Sequence, residues 1–277
     1  MNNQLFGYDP QDTWLHRLGG ATKLLAFIGL SIITMASYDT RFIVVVMMLT
    51  LVVFKQAKIK WQQISLVVKV ILIFSLLNLI TVYIFAPEYG VHIYGTRHLI
   101  LGNHGYFTLT QEQLFYELNL ALKYIVTVPL ALIFLITTNP SEFAASLNRL
   151  GISYRISYAI ALALRYIPDV QATYGQISLA QQARGYELSK KAKLSVRLKG
   201  VTQILMPLIF SSLERIDTIS QAMELRRFGR NKKRTWYMDH KLSQIDYLAL
   251  LVVIIVILIG IALFRFNGGR FFNPFKV

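Results

Sequence analysis

The chain has 277 residues, 55% of them apolar, a mean hydropathy of +0.48 and a formal net charge of +15. An ordinary soluble domain is roughly 45–50% apolar, so this composition points to a membrane protein, and the long uncharged runs set a nucleic-acid role aside. The absence of cysteine excludes a disulfide scaffold, a cysteine–zinc site, an iron–sulfur cluster and a thiol nucleophile, and no low-complexity tract signals extensive disorder.

Met1 to Gly20 is polar, with no apolar core of a cleavable signal, so the first hydrophobic segment is expected to be retained. A spanning helix needs about 20 apolar residues to cross roughly 30 Å of hydrocarbon. Five segments approach that length: Leu24 to Tyr38, Phe42 to Phe54, Ile64 to Ala86, Leu118 to Thr138 and Tyr247 to Phe264. Asp39-Thr40-Arg41 reads as a tight turn between the first two. Lys69 and Lys123 lie near span ends, where long basic side chains snorkel to headgroups.

Loop charge sets orientation. Lys55, Lys58 and Lys60 follow the second span, whereas Arg97 is the one basic residue between Pro87 and Glu117. The stretch 139–246 carries 17 Lys and Arg against 8 Asp and Glu. These asymmetries place the N-terminus and residues 139–246 in the cytoplasm and the C-terminus outside, with Arg265, Arg270 and Lys276 arguing weakly the other way. In the external loop, Val91 to Tyr94 alternates as a hairpin strand would. His92, His98 and His104 recur every six residues, a spacing that fits solvated loop histidines better than a metal site.

The cytoplasmic block is the most informative region. Asn139-Pro140-Ser141-Glu142 reads as a helix start with Ser141 as a cap candidate, and Leu150-Gly151 as its end. Ile152 to Ile167 is amphipathic; with Arg155 and Arg165 inside it, an interfacial helix fits better than a sixth span. Pro168-Asp169 is expected to restart a helix running to about Arg184. A basic stretch from Tyr186 to Gly200 (Lys190, Lys191, Lys193, Arg197, Lys199) suits anionic headgroups. A further helix is expected from Pro207 to about Phe228, followed by Gly229, Arg230, Lys232, Lys233 and Arg234.

The two long arms share a pattern. Ile177 to Arg184 and Ile219 to Arg226, 42 residues apart, both read I-S-x-A-x-x-x-R, and Gly185 and Gly229 follow. A lone arginine there would complement the helix macrodipole ahead of a glycine stop. Two copies point further, to rigid guanidinium-tipped helices that pair with carboxylates of another protein. Phosphate-binding loops and hydrolase or metalloprotease motifs are missing, and the five spans contain no Asp or Glu, which disfavours a self-sufficient proton-coupled carrier.

At these residues the chain resembles the transmembrane T component of energy-coupling factor transporters, a family that includes cobalt-transport permease subunits. The resemblance runs through Leu15-His16-Arg17-Leu18, Thr22-Lys23-Leu24, Thr138 to Glu142 and Leu164 to Pro168. It is most specific at Ala180 to Gly185 and Ala222 to Arg226. It implies an all-α polytopic membrane protein: about five transmembrane helices and a cytoplasmic coupling module of long amphipathic helices crossing in an X. The expected divisions are 1–138 for the first four spans, 139–246 for the coupling helices and 247–277 for the last span and tail.

The resemblance also implies a non-catalytic role and partners. Two ABC-type ATPase subunits, which bind the ATP, would receive Ala183-Arg184-Gly185 and Leu225-Arg226-Arg227. A substrate-binding membrane S component for a vitamin or metal ion would pack on Ala172, Gly175 and Ala180 of the first arm and Ile209, Leu213, Ile216, Ile219 and Met223 of the second. The chain itself would need no cofactor. Where the family commonly has Gly after the second arginine, this chain has Arg227, so either Arg226 or Arg227 could make the key contact; the internal repeat favours Arg226. Competing readings are a stand-alone secondary transporter and a membrane enzyme acting on lipid.

Overall fold

The structure, a computed structural model, describes residues 11, 13–59, 61–101, 107–186, 194–231, 235–236 and 242–275. In chain order its elements are α1 (Trp14–Arg17), α2 (Gly20–Ala36), α3 (Thr40–Gln56), α4 (Trp61–Phe85), α5 (Tyr89–Tyr94), β1 (Leu99–Leu101), β2 (Leu109–Thr110), α6 (Gln111–Thr137), α7 (Pro140–Arg149), α8 (Tyr154–Ala183), α9 (Leu194–Leu225) and α10 (Gln244–Phe266). They fall into two compact units, Met1–Glu142 with His240–Val277, and Phe143–Asp239.

The first unit is a helix bundle. By length and composition, Ile64–Phe85 of α4, α6 and α10 can each cross a membrane, and α2 is a shorter apolar helix. Each of the five apolar segments of the sequence is helical. Leu30 and Ile33 of α2, Phe42, Ile43 and Val46 of α3, Val126 and Leu130 of α6 and Val253 of α10 form its core. Glycine lets α2 and α10 approach closely: a Cβ on Gly260 would stand 2.6 Å from Ile33 Cγ1, and one on Gly29 2.9 Å from Ile257 Cδ1. On α4, by contrast, Leu72, Ile73, Phe74, Leu76 and Leu77 are all exposed. A helix apolar on every face with so little protein around it is stable where lipid is the solvent.

Two lysines fix the antiparallel register of α2 and α6. Lys23 on the first turn of α2 donates to the carbonyl of Thr137, which ends α6, at 2.9 Å, and its ammonium lies 3.8 Å from Glu142. Lys123 on α6 donates to the Met35 carbonyl in the last turn of α2 at 2.7 Å, with its Nζ 3.1 Å from the centre of the Tyr38 ring. Each helix thus caps the other's C-terminus with a cation. This corrects the snorkelling expected of Lys123, which is 2% exposed; a neighbouring helix end satisfies its ammonium. Lys69 is exposed on α4.

Both ends of the bundle are tied by buried carboxylates. At one, Asp246 accepts the Gly19 amide at 2.8 Å while completing a capping box with Ser243. At the other, fully buried Asp39 caps α3 and receives the Arg41 guanidinium (3.1 and 3.0 Å) and the Asn267 amide (2.8 Å). Burial acts to raise the Asp39 carboxyl, and the hydrogen bonds from Arg41 and Asn267 outweigh it, holding the group below the usual carboxylate range. The C-terminal tail continues over this end, with Phe271 stacked on Tyr38 and Phe275 against Tyr94.

The loop before α6 differs from its sequence reading. Val91 to Tyr94 is not a strand; it lies in α5, closed by Gly95 in the left-handed region (φ 70°), and the antiparallel pair is β1 with β2. His98 bonds the buried Glu112 carboxylate through its amide (3.0 Å) and Nδ1 (2.6 Å). His92 is on α5, and His104 lies outside the described residues. Among the described residues no group of side chains could hold a metal ion.

The second unit is built on α8 and α9. Asn139, not Ser141, supplies the oxygen that accepts an amide at the start of α7. Helix α8 runs unbroken through Pro168, and α9 begins at Leu194 and runs through Pro207, so neither proline starts a helix as expected. Proline removes one internal hydrogen bond, and at Pro207 the carbonyl that loses its donor is that of Gln203. Buried Gln181 of α8 donates its side-chain amide there at 3.4 Å. Lys190, Lys191 and Lys193 lie outside the described residues.

Helices α8 and α9 are antiparallel. Gln181 meets Gln203, Asp169 lies 4.0 Å from Arg215, and Arg155 donates to the Gly229 carbonyl at 2.8 Å. The contacts therefore run from one end of the pair to the other. A groove of about 450 Å³ opens between them.

Candidate functional site

The two arginine motifs end their helices with the same hydrogen-bond pattern. At the end of α8 the Arg184 amide bonds Ala180 O, the Gly185 amide Gln182 O and the Tyr186 amide Gln181 O, at 3.2, 3.0 and 3.2 Å. At the end of α9 the Arg226 amide bonds Ala222 O, the Arg227 amide Glu224 O and the Phe228 amide Met223 O, at 3.2, 2.8 and 2.9 Å. This is the Schellman closure, which requires a left-handed residue one past the cap. Gly185 takes that position in the first motif at φ 89°, and Arg227 takes it in the second at φ 54°.

The backbone thus makes Arg226 the counterpart of Arg184, and Arg227 the counterpart of Gly185. The stop expected at Gly229 comes two residues earlier. Gly229 is itself left-handed (φ 90°) and belongs to the turn that follows. Ala183, Arg184, Gly185, Leu225, Arg226 and Arg227 are all exposed. Both guanidiniums leave a helix C-terminus, where the macrodipole favours a cation. At 1.5 Å per residue the 30 residues of α8 span up to roughly 45 Å. Since Arg184 and Arg226 stand at opposite ends of the pair, one partner groove cannot hold both.

The apolar stripes are divided. Ile216, Ile219 and Met223 of α9 face Tyr158, Leu162 and Tyr166 of α8 across the groove, whereas Ile209 and Leu213 do not line it and are about half exposed. Ala172 and Ala180 are exposed, and a Cβ on Gly175 would meet nothing within 4 Å. Two residues with no motif of their own, Arg155 and Phe228, prove central to the second tip. The Phe228 ring packs on Tyr154 and Tyr158, with centroids 5.6 and 4.8 Å away. A usable signal was present: an aromatic residue follows each motif, Tyr186 and Phe228.

Comparison with known proteins gives one answer. Residues 11–237 match the family described as CbiQ, cobalt transport protein. The chain is 26% identical to the energy-coupling factor transporter transmembrane protein EcfT of Staphylococcus aureus, over 97% of this chain and 100% of that one. It is 26% identical to the protein of the same name from Lactococcus lactis subsp. cremoris, over 93% and 96% of the two chains. Identity to that of Clostridium kluyveri is 24%, over 92% and 94%. The match extends well beyond half of the sequence and includes both arginine-tipped helices, and the chain therefore belongs to the CbiQ family of cobalt transport proteins, as a non-catalytic transmembrane component of the energy-coupling factor type.

Proposed function

We propose that the chain couples two ABC-type ATPase subunits to a substrate-binding S component, with α8 and α9 as the coupling helices. The observation that carries this reading is the shared backbone closure of the two helix ends, which puts Arg184 and Arg226 at the same cap position on opposite ends of the helix pair. Guanidiniums so held can make bidentate pairs with carboxylates of the ATPase subunits. ATP binding draws those subunits together, the docked tips follow, and the apolar face carrying Ile209, Leu213, Ile216, Ile219 and Met223 shifts the S component in the bilayer. Close approach of that partner is helped by Ala172, Gly175 and Ala180. The charge of residues 139–246 supports a cytoplasmic location for this unit, with the N-terminus inside and the C-terminus outside.

Charge reversal at both tips tests the proposal. Arg184→Glu combined with Arg226→Glu is expected to lower ATPase-subunit copurification and ATP-dependent uptake at least tenfold, since breaking a hydrogen-bonded interfacial charge pair costs about 2–5 kcal/mol. Undiminished uptake by the double variant, or uptake by the purified chain without ATP, contradicts it; the latter is the behaviour of a secondary transporter.

A further inference from the structure

The hairpin that precedes α6 has its polarity turned inside out. Thr108, which leads into β2, and Thr110 within it are fully buried. Thr108 donates to Glu88 at 2.8 Å, and Thr110 caps α6 by accepting the Gln113 amide at 3.3 Å. His98, just before β1, is tied to buried Glu112. Strand β1 is the opposite. Leu99, Ile100 and Leu101 are all exposed, Leu101 at 70%, so neither face of the strand is covered by the described residues. A water-facing hairpin hides its apolar side chains and shows its polar ones. Polar inward and apolar outward is the pattern of a strand whose solvent is hydrocarbon.

The apolar surface of α4 continues onto this hairpin. Ile84 and Phe85, which end α4, are exposed, and exposed Phe107 stands beside Tyr83 in the last turn of α4, with ring centroids 6.3 Å apart. Tyr83 and Tyr89 lie at the same end of the bundle, and tyrosine rings favour headgroup level. We infer that β1 is a membrane anchor: Leu99, Ile100 and Leu101 insert into the lipid leaflet at the end of the bundle where α4 stops and α6 starts. Backbone chemistry sets the depth. Among the described residues β1 pairs with β2 alone, so its other edge carries N–H and C=O groups that hydrocarbon leaves unsatisfied and that headgroups and their water satisfy. The strand therefore lies about 5–10 Å in, at the boundary of headgroups and acyl chains. Arg97, paired with Glu88 at 2.7 Å, forms the polar margin. Because the base of the hairpin is bonded to the first turn of α6, the anchor fixes the depth at which that helix enters the bilayer.

The test uses the full-length chain, free of native cysteine, in vesicles of phosphatidylcholine and phosphatidylglycerol. A nitroxide on Leu101→Cys is expected to collide with oxygen about threefold more often than with a water-soluble nickel chelate, as an interfacial depth requires. The same label on Leu76→Cys, well inside α4, is expected to show a stronger preference for oxygen. Ile100→Cys repeats the measurement on the opposite face of the strand, and it carries the test if the label at position 101 impairs folding. Collision mainly with the chelate puts the hairpin in water and overturns the inference. Protection from both agents overturns it too, because β1 is then covered by protein, whether a second copy of the chain or another subunit.

Discussion

In the first unit Lys23, Lys123, Asp39 and Asp246 are buried and each meets a backbone or side-chain partner, whereas in the second Arg184, Arg226 and Arg227 stand exposed at helix ends. The same residue classes are put to opposite uses. Inside an apolar bundle a charge is tolerable only in the one register that satisfies it, so the buried lysines and aspartates select a single packing of α2, α3, α6 and α10. At an exposed helix end a charge stays solvated and costs little. The second unit is correspondingly thin. Its long helices are joined by Gln181, the Asp169–Arg215 pair and the Arg155 contact, with a groove between them.

That contrast can be broken at either side. The largest effect is expected from Lys123→Glu, which sets a carboxylate against the Met35 carbonyl and the electron-rich face of Tyr38. A buried charge stripped of its partners costs about 3–5 kcal/mol, enough to abolish accumulation of folded protein or lower its thermal transition steeply. A transition like that of the wild type would show that Lys123 does not cap α2. A smaller effect is expected from Gln181→Ala, which removes the donor to the carbonyl freed by Pro207; one such hydrogen bond contributes about 0.5–1.5 kcal/mol. Because it lies in the second unit, its expected signature is faster amide exchange in α8 and α9 with α2 and α6 unchanged. Equal loosening of both units would remove the distinction drawn here.

The five apolar helices were legible because length and hydropathy suffice to define them. The repeated arginine motif was legible because both copies carry the same residue types at the same offsets, I-S-x-A-x-x-x-R. What the sequence did not reveal depends on partners distant in the chain. Lys123 resembled a snorkelling residue until α2 placed a helix end beside it. Pro168 and Pro207 resembled helix starts, since nothing local to Pro207 announces that Gln181 satisfies its orphaned carbonyl. The left-handed backbone at Arg227 was hidden for another reason: it is a property of φ, and residue identity argues against it.

The central claim is that both arginine tips contact ATPase subunits. The chain contains no cysteine, so Ala183→Cys and Leu225→Cys each introduce its one thiol beside a tip arginine. Thiol-to-amine cross-linking of the assembled transporter from each position in turn measures the contact directly. The account requires both positions to capture an ATPase subunit, with the yield changing when ATP binds. An intact complex in which neither thiol captures one would contradict it.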